Sequence, residues 1–264
     1  MAKSPRARDY GHTVGAAIVT GAASGIGRAT VELLIAKGWK IAAFDLDERL
    51  LAELAEENAK SKVLLRTGRL DVTDERAVER AVAESAEAFG GLSGVVNSAG
   101  IAADKHVFET TPEMFRKILD VNVVGSFMVG KAAARIMKDK GRGAIVNLAS
   151  ISGLRGSKGR SAYGASKGAV VNMTQVMAND LSPYGIRVNA VAPGPVETPM
   201  VKALHTAADR KLYERFIPMR RYAEPGEIAS VIHFLLDPSQ SAYVTGEIIA
   251  VDGGYRGAGV IVRD

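Results

Sequence analysis

Tyr163 and Lys167 stand four residues apart in Tyr163-Gly164-Ala165-Ser166-Lys167, and on a helix that spacing puts both on one face. A free phenol ionises at roughly pH 10 and is a poor base at neutrality. A neighbouring ammonium favours the phenolate and is expected to lower that value. The tyrosine could then take a proton from an alcohol or give one to a ketone. Such a pair alone is commonly an accident of a helix surface. Ser150, thirteen residues earlier, adds to it by ending the apolar run Ile145-Val146-Asn147-Leu148-Ala149. Its hydroxyl can bond a substrate oxygen and stabilise charge developing there; the plainer alternative is a serine satisfying a turn. Asn122, in Asp120-Val121-Asn122-Val123-Val124-Gly125, is a poor interior helix residue, and its plain role is a locally bonded core amide.

A second set of residues suits a dinucleotide. Thr20-Gly21-Ala22-Ala23-Ser24-Gly25-Ile26-Gly27 lies between an apolar run and a helical pattern, the context in which a glycine motif is informative. Gly21 can make the tight turn, Gly25 lets backbone approach a pyrophosphate, and Gly27 lets helix and strand pack closely. The helix start, with Ser24 and Ile26, turns its amides toward the phosphates. Asp45 follows Gly27 by eighteen residues. An acid at about that distance reads the ribose 2′-hydroxyl and repels a 2′-phosphate, so the expected cofactor is NAD rather than NADP. Asp45 also reads as a helix N-cap, but Asp47 is placed for that task too. Leu46 brings no compensating cation; Arg28 and Arg66 are the cations that could approach.

These residues need a frame. Short β-branched runs alternate with longer helical stretches. Strands are expected at Ala16–Thr20, Lys40–Phe44, Val63–Leu70, Gly94–Val96, Ala144–Leu148, Arg187–Ala192 and Glu247–Val251. Helices are expected at Ile26–Lys37, Asp47–Asn58, Asp74–Phe89, Pro112–Lys138 behind Thr111 as N-cap, Ala162–Leu181 and Glu224–Leu236. Strands apolar on both faces, alternating with helices, imply an α/β, doubly wound (Rossmann) parallel sheet of about seven strands with helices on both faces. The expected organisation is a basic flexible tail over 1–13 and one catalytic domain over 14–264.

The glycine spacing, TGxxxGxG, resembles that of the short-chain dehydrogenase/reductase family, and the resemblance runs from about Ala16 to Tyr255. Asp71-Val72 resembles the family's adenine contact. Asn97-Ser98-Ala99-Gly100 resembles its NNAG segment, with Ser98 in place of the second Asn. Pro193-Gly194 matches its nicotinamide-side PG motif, with Val196 and Thr198 just beyond, and Asp252-Gly253-Gly254 its usual ending. The resemblance implies a catalytic set of Asn122, Ser150 (not Ser152), Tyr163 and Lys167. Tyr163 acts as acid/base, Ser150 holds the substrate oxygen, Lys167 holds the ribose, and Asn122 anchors a water that links Lys167 to solvent. It further implies hydride transfer between NAD(H) and a secondary alcohol or ketone. It also implies a homotetramer paired through Pro112–Lys138 and Ala162–Leu181. A substrate lid is expected over 195–221.

Composition narrows the remaining classes. The chain has no cysteine, which removes disulfides and thiolate chemistry, and its four histidines lack metal-ligand spacing. Neither a secretory signal nor a membrane-length apolar run is read, so a cytoplasmic setting is expected. The net charge of +5 is dispersed without an aromatic-interleaved basic run, which argues against nucleic acid. Charge is concentrated elsewhere: 195–221 and 151–162 each carry a surplus of +3. Solvated lid charge explains this; so does a mouth that attracts anionic substrates. Met200, Leu204, Leu212, Tyr213, Phe216, Ile217 and Met219, at helical spacing, read as ordinary packing contacts. The apolar ending Gly259–Asp264 is expected to pack on a neighbouring subunit. Two other readings compete: a catalytically silent dinucleotide sensor, and sugar-nucleotide epimerisation or dehydration. The intact Ser150, Tyr163, Lys167 and Asn122 argue against the first. The lack of room for a larger C-terminal domain argues against the second.

Overall fold

The computed structural model describes residues 15–257; the expected basic tail and the expected packing of Gly259–Asp264 lie outside them. Seven strands form one parallel sheet: β1 (Ala16–Thr20), β2 (Lys40–Asp45), β3 (Leu65–Arg69), β4 (Gly94–Asn97), β5 (Gly143–Leu148), β6 (Ile186–Pro193) and β7 (Ile248–Val251). Their spatial order is β3-β2-β1-β4-β5-β6-β7. The order reverses between β1 and β4, which pair from Ala17↔Gly94 to Thr20↔Asn97. A crevice opens beyond the strand ends at such a reversal.

Every residue of β1 and β4 is buried, as strands covered on both faces must be. On one face lie α1 (Gly25–Ala36), α2 (Glu48–Glu57) and α9 (Pro225–Leu236). Their Leu34, Leu54, Ile228 and Ile232 pack with Val19, Val96 and Val146. The other face holds α3 (Glu75–Phe89), α5 (Ser126–Asp139) and α6 (Ser161–Leu181). There Val78, Val82, Met137 and Met177 meet Ile18, Val95 and Ile145. Edge strand β3 exposes Arg66, Thr67 and Arg69, which suits an edge that must not pair further.

The sequence boundaries hold to within two residues at most ends. Asp47 is the N-cap its position allowed, accepting from the Leu50 amide at 3.0 Å, and Asp74, expected inside its helix, is likewise an N-cap that accepts from the Ala77 amide at 3.0 Å. The larger departure is the expected single helix from Pro112. It is α4 (Pro112–Leu119), a π-helical segment over Asp120–Gly125, and then α5. Asn122 explains the widened turn. Its carboxamide accepts from the Ile101 amide at 2.8 Å and donates to the Ile101 carbonyl at 3.0 Å and to Ser166 Oγ at 2.9 Å. Those ties pull the helix open where it crosses α6. Among the described residues, no helix is long and apolar enough to cross a membrane.

Segment 195–221 forms two short helices, α7 (Pro199–Leu204) and α8 (Ala207–Phe216). It is not packed as ordinary core. Ile217 is buried, but Met200, Leu212, Phe216 and Met219 are exposed. Among the described residues nothing covers these four, so helical spacing here did not signal burial.

Candidate functional site

The glycine loop leaves β1 through Gly21, whose φ of +63° favours glycine; a Cβ there would stand 2.7 Å from the Ala99 amide nitrogen. Gly27 is tighter still, since its Cβ would lie 1.9 Å from the Gly21 carbonyl oxygen. The two glycines let α1 start directly against the strand end. Ser24 caps α1 in extended backbone, yet its side chain makes no capping bond. The helix start therefore has no internal acceptor from its cap.

Asp45 closes this end of the crevice. Its carboxylate accepts from the Ala23 amide at 3.0 Å and the Leu46 amide at 2.7 Å, so it holds the glycine loop as well as facing the cleft. The N-cap alternative for Asp45 falls away, because Asp47 performs it. Arg28 is engaged by Glu32 and Glu57, and those carboxylates raise its already high pKa. Arg66 does not reach the cleft wall.

The cleft has a volume of about 1130 Å³ and runs from Asp45 past the glycine loop to Ser150, Tyr163 and Lys167. Gly21, Ser24, Gly25, Ile26, Asp71, Val72, Ala99, Gly100, Pro193, Gly194, Val196 and Thr198 line it as well. Three of the sequence candidates do not. Gly27 acts through packing. Asn97 is buried behind the wall, donating to the Ser126 carbonyl at 3.1 Å and to Asn147 Oδ1 at 2.8 Å. It ties β4 to β5 and α5 and is not at the cleft surface. Asn122 is fully buried, its carboxamide spent on Ile101 and Ser166.

The far end holds the reactive groups. Ser150 lies just beyond β5 in extended backbone; its hydroxyl accepts from the Ser152 amide at 3.1 Å and acts on the Tyr163 phenol in the direction that favours the phenolate. Ser150, not Ser152, lines the cleft. Lys167 is 6% exposed and donates to the Leu148 carbonyl at 2.6 Å; burial lowers its pKa to about 8. Its Nζ stands 5.8 Å from the Tyr163 ring centroid.

The expected downward tuning of Tyr163 needs correction. Burial raises its pKa, because the phenolate loses water. The Ser150 hydroxyl and the Arg160 guanidinium act downward, and neither outweighs burial. Lys167 spends a donor on Leu148 instead of the phenol.

The residues fit a dinucleotide. A cradle that Cβ atoms would fill, an uncapped helix start and the Asp45 carboxylate beside them share one elongated cleft with the reactive groups at its far end. Sequence reasoning missed several wall residues, including Leu70, Ser98, Ile101 and Val201. Leu70, Ile101 and Val201 are apolar and Ser98 is small, so no chemistry marked them; Glu113, Arg116, Lys117 and Asp120, also in the wall, are charged but match no site motif. It also missed Asp104, which meets Arg160 from a separate loop, Nη2 donating to Oδ2 at 2.8 Å. Among the described residues, no group of three or more His, Asp or Glu is placed to hold a metal ion.

The basic mouth is partly neutralised. Arg160 pairs with Asp104, Arg210 with Glu197 and Arg221 with Glu227. Asp104 and Glu227 lie outside the two stretches counted in the sequence, so the local surplus is smaller than that count implies.

Comparison with known proteins gives a consistent picture. A family model described as Enoyl-(Acyl carrier protein) reductase matches residues 21–256. Levodione reductase of Leifsonia aquatica is 39% identical over 253 residues, covering 91% of this chain and 94% of that protein. The 2,5-dichloro-2,5-cyclohexadiene-1,4-diol dehydrogenase of Sphingobium indicum is 42% identical over 243 residues, covering 90% and 95%. A solved short-chain type dehydrogenase/reductase from Mycobacterium ulcerans superposes with a TM-score of 0.88 at 32% identity, covering 91% of this chain and 89% of that one.

Proposed function

The chain belongs to the short-chain dehydrogenase/reductase family, and on that premise we propose that it transfers a hydride between NAD(H) and a secondary alcohol or ketone, with Tyr163 as general acid/base. The observation that carries this is that Ser150, Tyr163 and Lys167 meet at one end of the cleft whose other end is the glycine loop and Asp45. When bound, the nicotinamide supplies the hydride acceptor or donor; the chain supplies position and proton chemistry.

In oxidation Tyr163 takes the hydroxyl proton, and in reduction it returns one to the carbonyl oxygen. Ser150 holds that oxygen through its hydroxyl. Lys167 has donors left after Leu148 and holds the ribose. Its positive charge, with that of the oxidised ring, opposes the upward push of burial on Tyr163. Asn122 supports the proton relay from behind, fixing Ser166 one residue before Lys167. Asp45 accepts from the ribose hydroxyls and selects NAD. Segment 195–221 is the substrate lid, since Met200 and Val201 from α7 stand in the cleft wall.

Levodione reductase and the chlorinated diol dehydrogenase are both named for reactions at oxygenated carbon, which supports this substrate class. The assembly is a homotetramer: α5 and α6 expose Phe127 and Val176, and the adjoining π segment Val124, apolar surface suited to pairing. Sedimentation measures it. The central test is Tyr163→Phe, which removes only a hydroxyl. Turnover is expected to fall by roughly a thousandfold or more while the fold and NAD binding persist. Lys167→Ala loses turnover and weakens NAD binding together. Substantial activity in Tyr163→Phe, on a substrate the unaltered enzyme uses, overturns the assignment.

A further inference from the structure

Arg160 sits directly before α6, three residues ahead of Tyr163, with a side chain only 12% exposed. Its guanidinium carbon lies 5.3 Å from the Tyr163 ring centroid, and Lys167 Nζ lies 5.8 Å from the same centroid. The ring is thus flanked by two cations. Two segments hold Arg160 in place. Asp104, in the loop after β4, forms an ion pair with it. The same loop is strapped to the Arg160 loop by the Lys105 amide donating to the Gly159 carbonyl at 2.9 Å. His205, at the end of α7, meets Arg160 Nη2 through Nε2 at 3.1 Å. A guanidinium only donates, so His205 Nε2 must accept. The proton then sits on Nδ1, which donates to Tyr222 Oη at 2.8 Å. Tyr213 stacks on the imidazole at 4.9 Å between centroids, and Arg210 covers the Tyr222 ring at 4.5 Å.

We propose that Arg160, gripped by Asp104 and by the lid residue His205, is a positioning residue for Tyr163: it sets the charge beside the phenol and ties that charge to the seating of the lid. The inference rests on Tyr163 being the acid/base. A solvated surface arginine would leave such a ring unaffected, because water screens it. This one is desolvated, doubly held and close. The ionisable groups facing Tyr163 are Lys167, Arg160 and Asp104, with the Ser150 hydroxyl also acting on it. Arg160 favours the phenolate and the smaller effect of the Asp104 charge opposes it. Asp104 is itself raised by burial and lowered by Arg160 and His205. His205 faces Arg160, Asp104, Asp209 and Arg210 and is lowered chiefly by burial, which keeps it the neutral acceptor this arrangement requires. A lid that swings away takes His205 with it and leaves Arg160 freer to turn to water.

The test uses the full chain without substrate or cofactor. Tyrosinate absorbance is read within milliseconds of a pH jump, before the chain unfolds, and the Tyr163→Phe signal is subtracted to isolate Tyr163. Arg160→Met should raise the midpoint by about half a pH unit or more, and Asp104→Asn should lower it. Arg160→Lys keeps the charge and should restore most of the unaltered midpoint. If Arg160→Met does not fold, Arg160→Met with Asp104→Asn removes both charges and should still raise the midpoint, because the guanidinium has the larger effect on the phenol. Midpoints that stay put, or that move in one direction for both single variants, overturn the proposal. The same signs should appear in the limb of the kcat/KM pH profile. If Tyr163→Phe turns over normally, the assignment of Tyr163 fails, while the absorbance titration still decides the role of Arg160.

Discussion

Replacing Lys167 by Met should make the cofactor-free protein more stable at neutral pH although it abolishes turnover. The ammonium is buried beside the cleft, and its pKa falls from 10.5 to about 8. At 1.36 kcal/mol per unit, that shift is a penalty of about 3 kcal/mol for keeping the charge in the folded state at pH 7. Met keeps the chain length and removes the charge, but it also removes the donor to the Leu148 carbonyl. A buried carbonyl left unpaired costs about 1–3 kcal/mol. The net gain at pH 7 is therefore about 1 kcal/mol, or roughly 2–4 °C in Tm for a domain of this size. The pH dependence is the sharper quantity, because the hydrogen-bond loss cancels from it. Between pH 8 and 10.5 the unfolded lysine is protonated and the folded one is not, so unaltered stability rises with pH through that window. Lys167→Met lacks this rise. Its advantage should shrink by about 3 kcal/mol from pH 7 to above pH 10.5 and reverse sign. Denaturant unfolding of both proteins at several pH values measures this. A stability difference that does not change with pH would refute the claim that the lysine is held against desolvation.

Three further outcomes are expected. kcat/KM should favour NAD over NADP by at least roughly a hundredfold, about 2.7 kcal/mol. Asp45→Ala should narrow that gap and also weaken NAD, because the Ala23 amide loses its acceptor; equal efficiency with both cofactors in the unaltered enzyme rejects the assignment. Asn122→Ala removes bonds to Ile101 and Ser166 and strands buried partners, so denaturant unfolding should show a loss of about 2–4 kcal/mol; a loss below about 0.5 kcal/mol would mean that the carboxamide does not hold the π segment. The residual basic surplus at the mouth should make kcat/KM for an anionic substrate fall as salt rises, with a screening length of about 8 Å at physiological ionic strength. A best substrate that is neutral and insensitive to salt ends the anionic reading.

Local pattern was enough for the frame and for most of the site. A parallel strand buried on both faces is apolar along most of its length, so β1, β4 and β5 declared themselves as short β-branched runs. A close approach of helix to strand tolerates no side chain, so Gly21 and Gly27 mark the loop in the sequence itself. Tyr163, Lys167, Ser150 and Asp45 were legible because each sits at a fixed offset from an element end, and the parallel sheet brings those ends to one edge. What depended on several distant segments was not legible. The widening of the helix at Asn122 follows from bonds to Ile101 and Ser166, 21 and 44 residues away. The charge count at the mouth misjudged the field because Asp104 arrives from a loop 56 residues before Arg160. The direction of the Tyr163 shift reversed for the same reason. Spacing reports which groups are neighbours along the chain, whereas desolvation depends on everything that packs around them, and only the folded structure holds that.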